Sequence, residues 1–392
     1  MDKKPKNLSS DLQGISQVSI DAVKGTTKVV ESLHSTISQY TSVLGDPNEK
    51  TNGLTGLIYK TINSVTYLLG EGINKVLNKT SQLHGNYTGD HRLSATREAV
   101  ASAMNGVLGD HFDNGENPLA INMSFRINGI SLDKKQLLEL FENATNSVTI
   151  VMHGLCMNDL QWTRENHNHG KSLAEDLGHT IVYLHYNSGL HISKNGRQLS
   201  QLLNDIPYKN ELSIKILGHS MGGLVARSAC YYAQQENHKW LTDLDSMVFL
   251  GTPHHGAALA KGGHWVDILL EISPYSAPFA KITKVRSNGL TDLRHGYIVD
   301  EDWLHPDERK MIALPENINC YAVATTKSNS ESSKLSHHIV GDGLVGVNSA
   351  LGKHDDLNLD IPKDNQWVGR NIGHMQLLSD KNVYEVVKKW MT

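Results

Sequence analysis

The first part of the chain carries apolar residues three or four positions apart, which is the spacing of one face of an α-helix. Two such stripes cover residues 9–45 and 54–76. A third helix is expected over residues 94–107, with Ser94 as its N-cap. The pattern therefore predicts a helical N-terminal region over residues 1–115.

From residue 119 the apolar positions follow a period of two and then alternate with helical stretches. Residues 120–127 read as a half-buried strand, and Asn128-Gly129 before the next apolar run predicts a β-hairpin. Further strands are expected at 148–152, 180–186 and 212–217, with helices at 135–143, 170–177 and 195–205. This alternation predicts a doubly wound, mostly parallel α/β sheet in a domain of residues 116–392.

The alternation is interrupted between about residues 257 and 313, where an apolar patch is followed by the proline-containing segment 273–279. We interpret this stretch as a cap insertion that covers a binding pocket of the domain and moves over it. A rigid helical insertion that does not open and close over the pocket is an equal alternative.

A Gly-x-Ser-x-Gly motif, Gly218-His219-Ser220-Met221-Gly222, lies between the apolar run 214–217 and the helical stretch 224–229. A sharp turn from a buried strand into a helix is the setting in which this motif presents a nucleophilic serine. Side chains at Gly218 and Gly222 would collide with such a turn. We therefore expect Ser220 to be a nucleophile.

A nucleophilic serine needs a base, a group that orients the base, and donors for an oxyanion. The run Ser147–Met152 ends in His153-Gly154-Leu155, where Gly154 lets a substrate approach the backbone. The expected oxyanion donors are the backbone N–H groups of Leu155 and Met221.

Asp342 lies on a glycine-flanked loop after the strand-like run 319–324, and His374 lies just before a helix. The chain order serine, aspartate, histidine is the order of the α/β-hydrolase triad. We expect His374 to be the general base and Asp342 to orient it. Asp300 and Asp302 are the alternatives for the acid.

These motifs, with Gly251-Thr252-Pro253-His254-His255-Gly256 after the run 246–250, resemble those of bacterial serine lipases and esterases of the α/β-hydrolase superfamily. The resemblance covers roughly residues 120–392. It implies hydrolysis of a lipid-like acyl ester through an acyl-enzyme. The residues expected to shape the site are His153, Gly154, Gly218, His219, Gly222 and His254.

This fold hosts many chemistries, so the same residues would also serve other acyl-group reactions. The alternatives are an acyltransferase, a thioesterase and an intracellular storage-polyester depolymerase. A further alternative, from a different class, is a non-catalytic scaffold that docks on a lipid surface through the N-terminal helices.

The composition argues against one class of partner and indicates a cellular compartment. The hydrophobic content of 39% and charged content of 20% are those of a globular protein, and the net charge of −4 argues against a nucleic-acid partner. The three cysteines have no zinc-site spacing and indicate reduced thiols in the cytoplasm. No apolar run has the length of a signal peptide or a membrane span.

The histidine-rich segments 167–169, 254–255 and 337–338 lack the spacing of a zinc site, so we expect neither a metal nor a cofactor. Three lysines before the first helical stripe leave open a peripheral contact with a lipid surface. The other roles open to the N-terminal region are packing against the hydrolase domain and self-association. We expect residues 1–115 to be dispensable for the chemistry but not for handling an emulsified or membrane-presented substrate.

Overall fold

A computed structural model describes residues 95–114, 117, 119–206, 212–257, 270, 276, 287–309, 311–328 and 341–392. The stripes predicted at 9–45 and 54–76, the N-cap Ser94 and most of the predicted cap insertion lie outside the described residues. The larger of two compact units comprises Arg92–His111 and Ile121–Thr392. The described residues of the smaller unit are 112–114, 117, 119 and 120, and among them the Asn117 N–H donates to the Phe112 carbonyl at 2.8 Å.

An eight-stranded sheet forms the centre of the larger unit. The strands are β1 (Ser124–Ile127), β2 (Ile130–Ser131), β3 (Ser147–Met152), β4 (Thr180–His185), β5 (Ser213–His219), β6 (Leu244–Leu250), β7 (Asn319–Thr326) and β8 (Gln366–Arg370). Their order across the sheet is β2-β1-β4-β3-β5-β6-β7-β8. The pairs β1–β2 and β1–β4 are antiparallel, and every other neighbouring pair is parallel. The predicted α/β-hydrolase fold is confirmed.

Helices connect the strands. They are α1 (Ala95–Asn114), α2 (Lys134–Glu142), α3 (His169–Leu177), α4 (Ile192–Asn204), α5 (Met221–Glu236), α6 (Asn288–His295), α7 (Asp300–Leu304), α8 (Val347–Ala350) and α9 (Lys381–Met391). Single 3₁₀ turns lie at Asp159–Trp162, Lys239–Thr242, Pro306–Glu308, Lys363–Asn365 and His374–Leu378. Helix α1 is longer than the helix predicted at 94–107, and α6 and α7 occupy the described end of the predicted insertion.

Helices cover both faces of the sheet. Successive strand residues point to opposite faces, so each strand contributes to a buried cluster on either side. Ile150 and Ile216 belong to a buried cluster that also contains apolar residues of α4 and α5. Their neighbours Val151 and Leu217 belong to a second cluster, with residues of α3 and α9. The near-continuous apolar runs of these strands thus serve two cores at once, as the doubly wound prediction requires.

Local signals account for several element boundaries. Asn128 and Gly129 adopt left-handed φ values of 50° and 80° between β1 and β2, as a tight hairpin needs. The Asp133 side chain accepts from the Gln136 N–H and starts α2 with a capping box. Helix α3 ends at Gly178, whose φ is 69°.

The loops that follow β3, β5, β6 and β7 meet at one edge of the sheet, because the carboxyl ends of parallel strands lie together. This edge is where ligands bind in open α/β sheets. Along the described residues, no helix is both long enough and apolar enough to cross a membrane.

Candidate active site

Ser220 lies at the turn between β5 and α5, with φ 54° and ψ −121°. A left-handed φ is costly for a residue that carries a Cβ, so the surroundings must hold the turn in place. The Ser220 N–H donates to the carbonyl of Leu250 at the end of β6, at 2.9 Å. The strained strand-to-helix turn expected from the motif is therefore present.

Both glycines of the motif are required by close approach, but for different reasons. A Cβ on Gly218 would lie 2.7 Å from the backbone N of Gly223, inside the turn itself. A Cβ on Gly222 would lie 2.6 Å from the carbonyl oxygen of Met152 and 2.8 Å from that of His153. The glycine at 222 thus lets the nucleophile turn approach the end of β3, a contact that the motif alone does not predict.

Asp342 and His374 form a buried pair. Oδ2 of Asp342 lies 2.7 Å from Nδ1 of His374, and the His374 N–H donates to the Asp342 carbonyl at 3.1 Å. The other carboxylate oxygen, Oδ1, accepts from the N–H groups of Leu344 at 2.9 Å and Val345 at 2.8 Å. Since a carboxylate only accepts, Nδ1 carries the proton and Nε2 is left as the basic nitrogen of the neutral ring.

His219, the residue before Ser220, contacts the turn that carries His374. Its Nε2 lies 3.3 Å from the His374 carbonyl oxygen, and the two rings are 4.8 Å apart. Burial, together with His374, holds the pKa of His219 well below its usual value, so the ring is neutral. Nε2–H therefore donates to the carbonyl, which joins the serine turn to the histidine turn.

Two contacts near the Asp342–His374 pair are not predicted by the motifs: one with the pair itself and one with the turn that carries His374. A Cβ on Gly251 would lie 3.2 Å both from Oδ2 of Asp342 and from Cε1 of His374, and the φ of Gly251 is 57°, a left-handed value that favours glycine beside the pair. Nε2 of His169 lies 2.8 Å from the carbonyl of Leu377, 208 positions away in sequence. No local pattern in the histidine-rich segment 167–169 marks its contact with the 3₁₀ turn of His374.

The two predicted donors lie on different elements: the Leu155 N–H is in the loop after β3, and the Met221 N–H is at the start of α5. His153 is fully buried beneath this loop, with Nδ1 2.8 Å from the Gly154 carbonyl, and burial lowers its pKa to about 4. Within the described part of the chain, neither the Leu155 N–H nor the Met221 N–H has a hydrogen-bond acceptor. The Cys156 N–H, in contrast, donates to Oγ of Ser188 at 3.0 Å. Unpaired N–H groups at these two positions are what an oxyanion site needs.

His254 has a different environment from the other predicted site residues. Its Nδ1 lies 3.4 Å from NH1 of Arg227, and its ring meets the edge of Phe249 at 4.8 Å. Burial and the nearby Arg227 hold its pKa well below the usual value. Its side-chain contacts are thus with Arg227 in α5 and Phe249 in β6, and its backbone N–H donates to the carbonyls of Thr252 and Ser349.

In the described ranges, no group of three or more histidine, cysteine, aspartate or glutamate side chains has an arrangement that could hold a metal ion. A hydroxyl on a strained turn, an imidazole held by a buried carboxylate and two unpaired N–H groups are the parts needed for acyl transfer to serine.

Solved structures similar to this chain include several lipases. Lipase BlEst2 of Bacillus licheniformis, in its mature form, is 16% identical, with 69% of this chain and 98% of that chain covered and a TM-score of 0.45. A lipase-esterase related protein of Clostridium acetobutylicum is 15% identical, with 62% and 94% covered and a TM-score of 0.36. Lipase B of Aspergillus fumigatus is 12% identical, with 69% and 55% covered and a TM-score of 0.37.

The profile of one protein family, described as a domain of unknown function (DUF7379), matches residues 161–287. A search of curated proteins finds no match. Because the profile covers less than half of the chain and names no activity, the function is inferred from the arrangement of the site.

Proposed function

We propose that this protein is a serine hydrolase that cleaves a carboxylic ester through an acyl-enzyme. The observation that carries the proposal is the buried Asp342–His374 pair, joined through His219 to the strained turn of Ser220. Such a pair is the arrangement by which a neutral histidine becomes a base for a serine hydroxyl.

The reaction follows from these roles. Nε2 of His374 takes the hydroxyl proton as Oγ of Ser220 attacks the ester carbonyl, and Asp342 stabilises the imidazolium. The oxyanion of the tetrahedral intermediate accepts from the N–H groups of Leu155 and Met221. Collapse breaks the ester bond, His374 protonates the leaving alcohol, and an activated water then releases the acid from Ser220.

We propose a lipid-like acyl ester as the substrate and the cytoplasm as the compartment. All the groups in the reaction belong to the chain, so no cofactor enters the proposal. The thiols of Cys156, Cys230 and Cys320 are buried and unpaired, which supports a reducing environment.

The test is covalent labelling with a fluorophosphonate probe, which reacts with an activated serine. Wild-type protein is expected to be labelled at Ser220, and Ser220→Ala to be unlabelled. Ser172→Ala, in α3 and away from the site, is the control and should be labelled like wild type. Labelling at another serine, or none, contradicts the proposal; the absence of labelling would favour the scaffold alternative.

A series of nitrophenyl esters of increasing chain length follows the labelling. Preference for longer chains is expected for a lipid-like substrate. Turnover of thioesters, or transfer to an added alcohol, at rates well above ester hydrolysis would instead assign one of the other acyl-group reactions.

Gly154→Val should remove most of the activity, while Leu155→Ala and Met221→Ala should retain most of it. A Cβ at Gly154 would lie 3.2 Å from the Cβ of Ser220 and 3.2 Å from Nδ1 of His219, so the branched valine would crowd the position of the carbonyl. The two alanine variants keep the donors, which are backbone groups. We expect kcat/KM of Gly154→Val to fall roughly 100-fold or more, the size of losing one oxyanion donor. A Gly154→Val protein with wild-type kinetics would place the oxyanion site on another loop.

A further inference from the structure

Helix α1 lies directly against the loop that carries the proposed oxyanion donor. The closest approach is at Gly106, where an added Cβ would overlap Sγ of Cys156 and lie 2.9 Å from its Cα and 2.9 Å from its N. Cys156 follows Leu155 directly, and its N–H donates to Oγ of Ser188 at 3.0 Å. The helix therefore packs on the backbone of Cys156 as well as on its side chain.

Polar contacts hold the same loop against the helix. Sγ of Cys156 approaches the Ala103 carbonyl at 3.8 Å, and Nδ2 of Asn158 donates to Oγ of Ser102 at 3.4 Å.

Buried ion pairs also connect the helix to the segment that follows the loop. NH1 of Arg126 lies 2.8 Å from Glu98 on the helix and 3.0 Å from Asp159. All three of these charged side chains are buried, so the ion pairs are shielded from solvent.

Hydrogen bonds also connect the helix to other parts of the larger unit. Nδ2 of Asn187 donates to the Gly109 carbonyl at 2.9 Å, and Oγ of Ser287 donates to the Gly106 carbonyl at 2.6 Å. The helix is thus a fixed support against which the loop can be positioned.

The loop needs such a support because its conformation is strained. Cys156 has a φ of 60°, a left-handed value that is unfavourable for cysteine and persists only where the surroundings impose it. If the loop relaxed, the N–H of Leu155 would turn away from the oxyanion position. Donors of this kind act only when they are held in the geometry of the transition state.

We infer that α1, through the contact of Gly106 with Cys156, is a positioning element for the Leu155 oxyanion donor. The inference rests on the proposed function. It also revises the expectation that residues 1–115 are dispensable for the chemistry, because the catalytic contribution of this region begins at α1.

The test is Gly106→Ala in the full-length protein. The added methyl must displace the Cys156 backbone, so kcat for a soluble nitrophenyl ester is expected to fall about 10- to 100-fold, approaching the loss of one oxyanion donor. KM should stay within about threefold, because the oxyanion donor acts on the transition state and not on binding of the ground-state ester. Affinity for a trifluoromethyl ketone, whose serine hemiketal places an oxyanion on the same donors, should fall in parallel with kcat.

Gly196→Ala is the matched control. A Cβ at Gly196 in α4 would overlap Oγ of Ser228 and lie 2.9 Å from its carbonyl carbon, a comparable crowding at a site away from the loop. It should lower Tm as Gly106→Ala does, yet leave kcat and ketone affinity near wild type. Equal losses of kcat in both variants would mean a general effect of overpacking and would overturn the inference.

Two further outcomes keep the test decisive. If Gly106→Ala does not fold, the test uses Cys156→Ala, which removes the Sγ that contacts the helix. We expect kcat of Cys156→Ala to fall roughly three- to tenfold at unchanged KM, and an unchanged kcat would overturn the inference.

The wild type and Ser220→Ala are assayed beside these variants. A wild type without Ser220-dependent hydrolysis contradicts the proposed function itself, whereas an active wild type with an unaffected Gly106→Ala contradicts only the positioning role.

Discussion

Ser220→Ala and His374→Ala are each expected to lower kcat for ester hydrolysis at least ~10³-fold, and the double variant should be hardly worse than either. The reason is that the two side chains act in one step: the hydroxyl is a poor nucleophile without the base, and the base has no proton to take without the hydroxyl. The measurement is single-turnover and steady-state kinetics on a soluble nitrophenyl ester.

A matched histidine control is available in His305, which is exposed and lies at the end of α7. His305→Ala should keep wild-type kinetics. If the losses of Ser220→Ala and His374→Ala multiply in the double variant, the two residues act independently and one of the assignments is wrong. The melting temperatures of all variants should be compared, since both side chains are buried.

The fold is predictable from the sequence because its signals are local. The hairpin at Asn128-Gly129 and the apolar runs that became β3 and β5 each carry their own pattern of turn residues or β-branched side chains. Strand β8 has no such signal, since Gln366–Arg370 contains polar residues and only one buried position. It is defined by pairing with β7, a tertiary contact that no short window contains.

The candidate site is predictable in part for the same reason. The turns that carry Ser220, Asp342 and His374 have sequence signatures, and the structure brings Asp342 and His374 into contact. The supports of these turns have none. The contact of His169 with Leu377 and that of Gly106 with Cys156 join distant segments, and their polar or small residues read equally well as surface positions.

His254 makes side-chain contacts that its motif does not predict. The histidine stands in the segment that follows β6, and Gly251 of that segment lies against the Asp342–His374 pair. The ring of His254 contacts Arg227 of α5 and Phe249 of β6. The expectation that His254 shapes the substrate site stays a prediction.

Asp342→Asn is expected to be nearly as damaging as loss of the nucleophile, with kcat lowered on the order of 10⁴-fold. The two N–H groups of Leu344 and Val345 both point at Oδ1, so an asparagine must place its amide oxygen there. Its NH₂ group then faces Nδ1 of His374 and donates to it. The proton of the ring is forced onto Nε2, which is the atom that must accept the proton of Ser220.

The measurement for Asp342→Asn is kcat across a pH series, with Asp300→Asn as the control. Asp300 forms a partly exposed pair with Arg197 at 2.6 Å, so its amide should leave kcat unchanged. Asp302 is the other alternative for the acid. Its Oδ2 accepts from the N–H groups of Ile298 and Val299, so this carboxylate already stabilises the loop before α7. Near-wild-type turnover in Asp342→Asn would mean that the tautomer of His374 is set by another group, and the assignment of Asp342 as the orienting acid would be wrong.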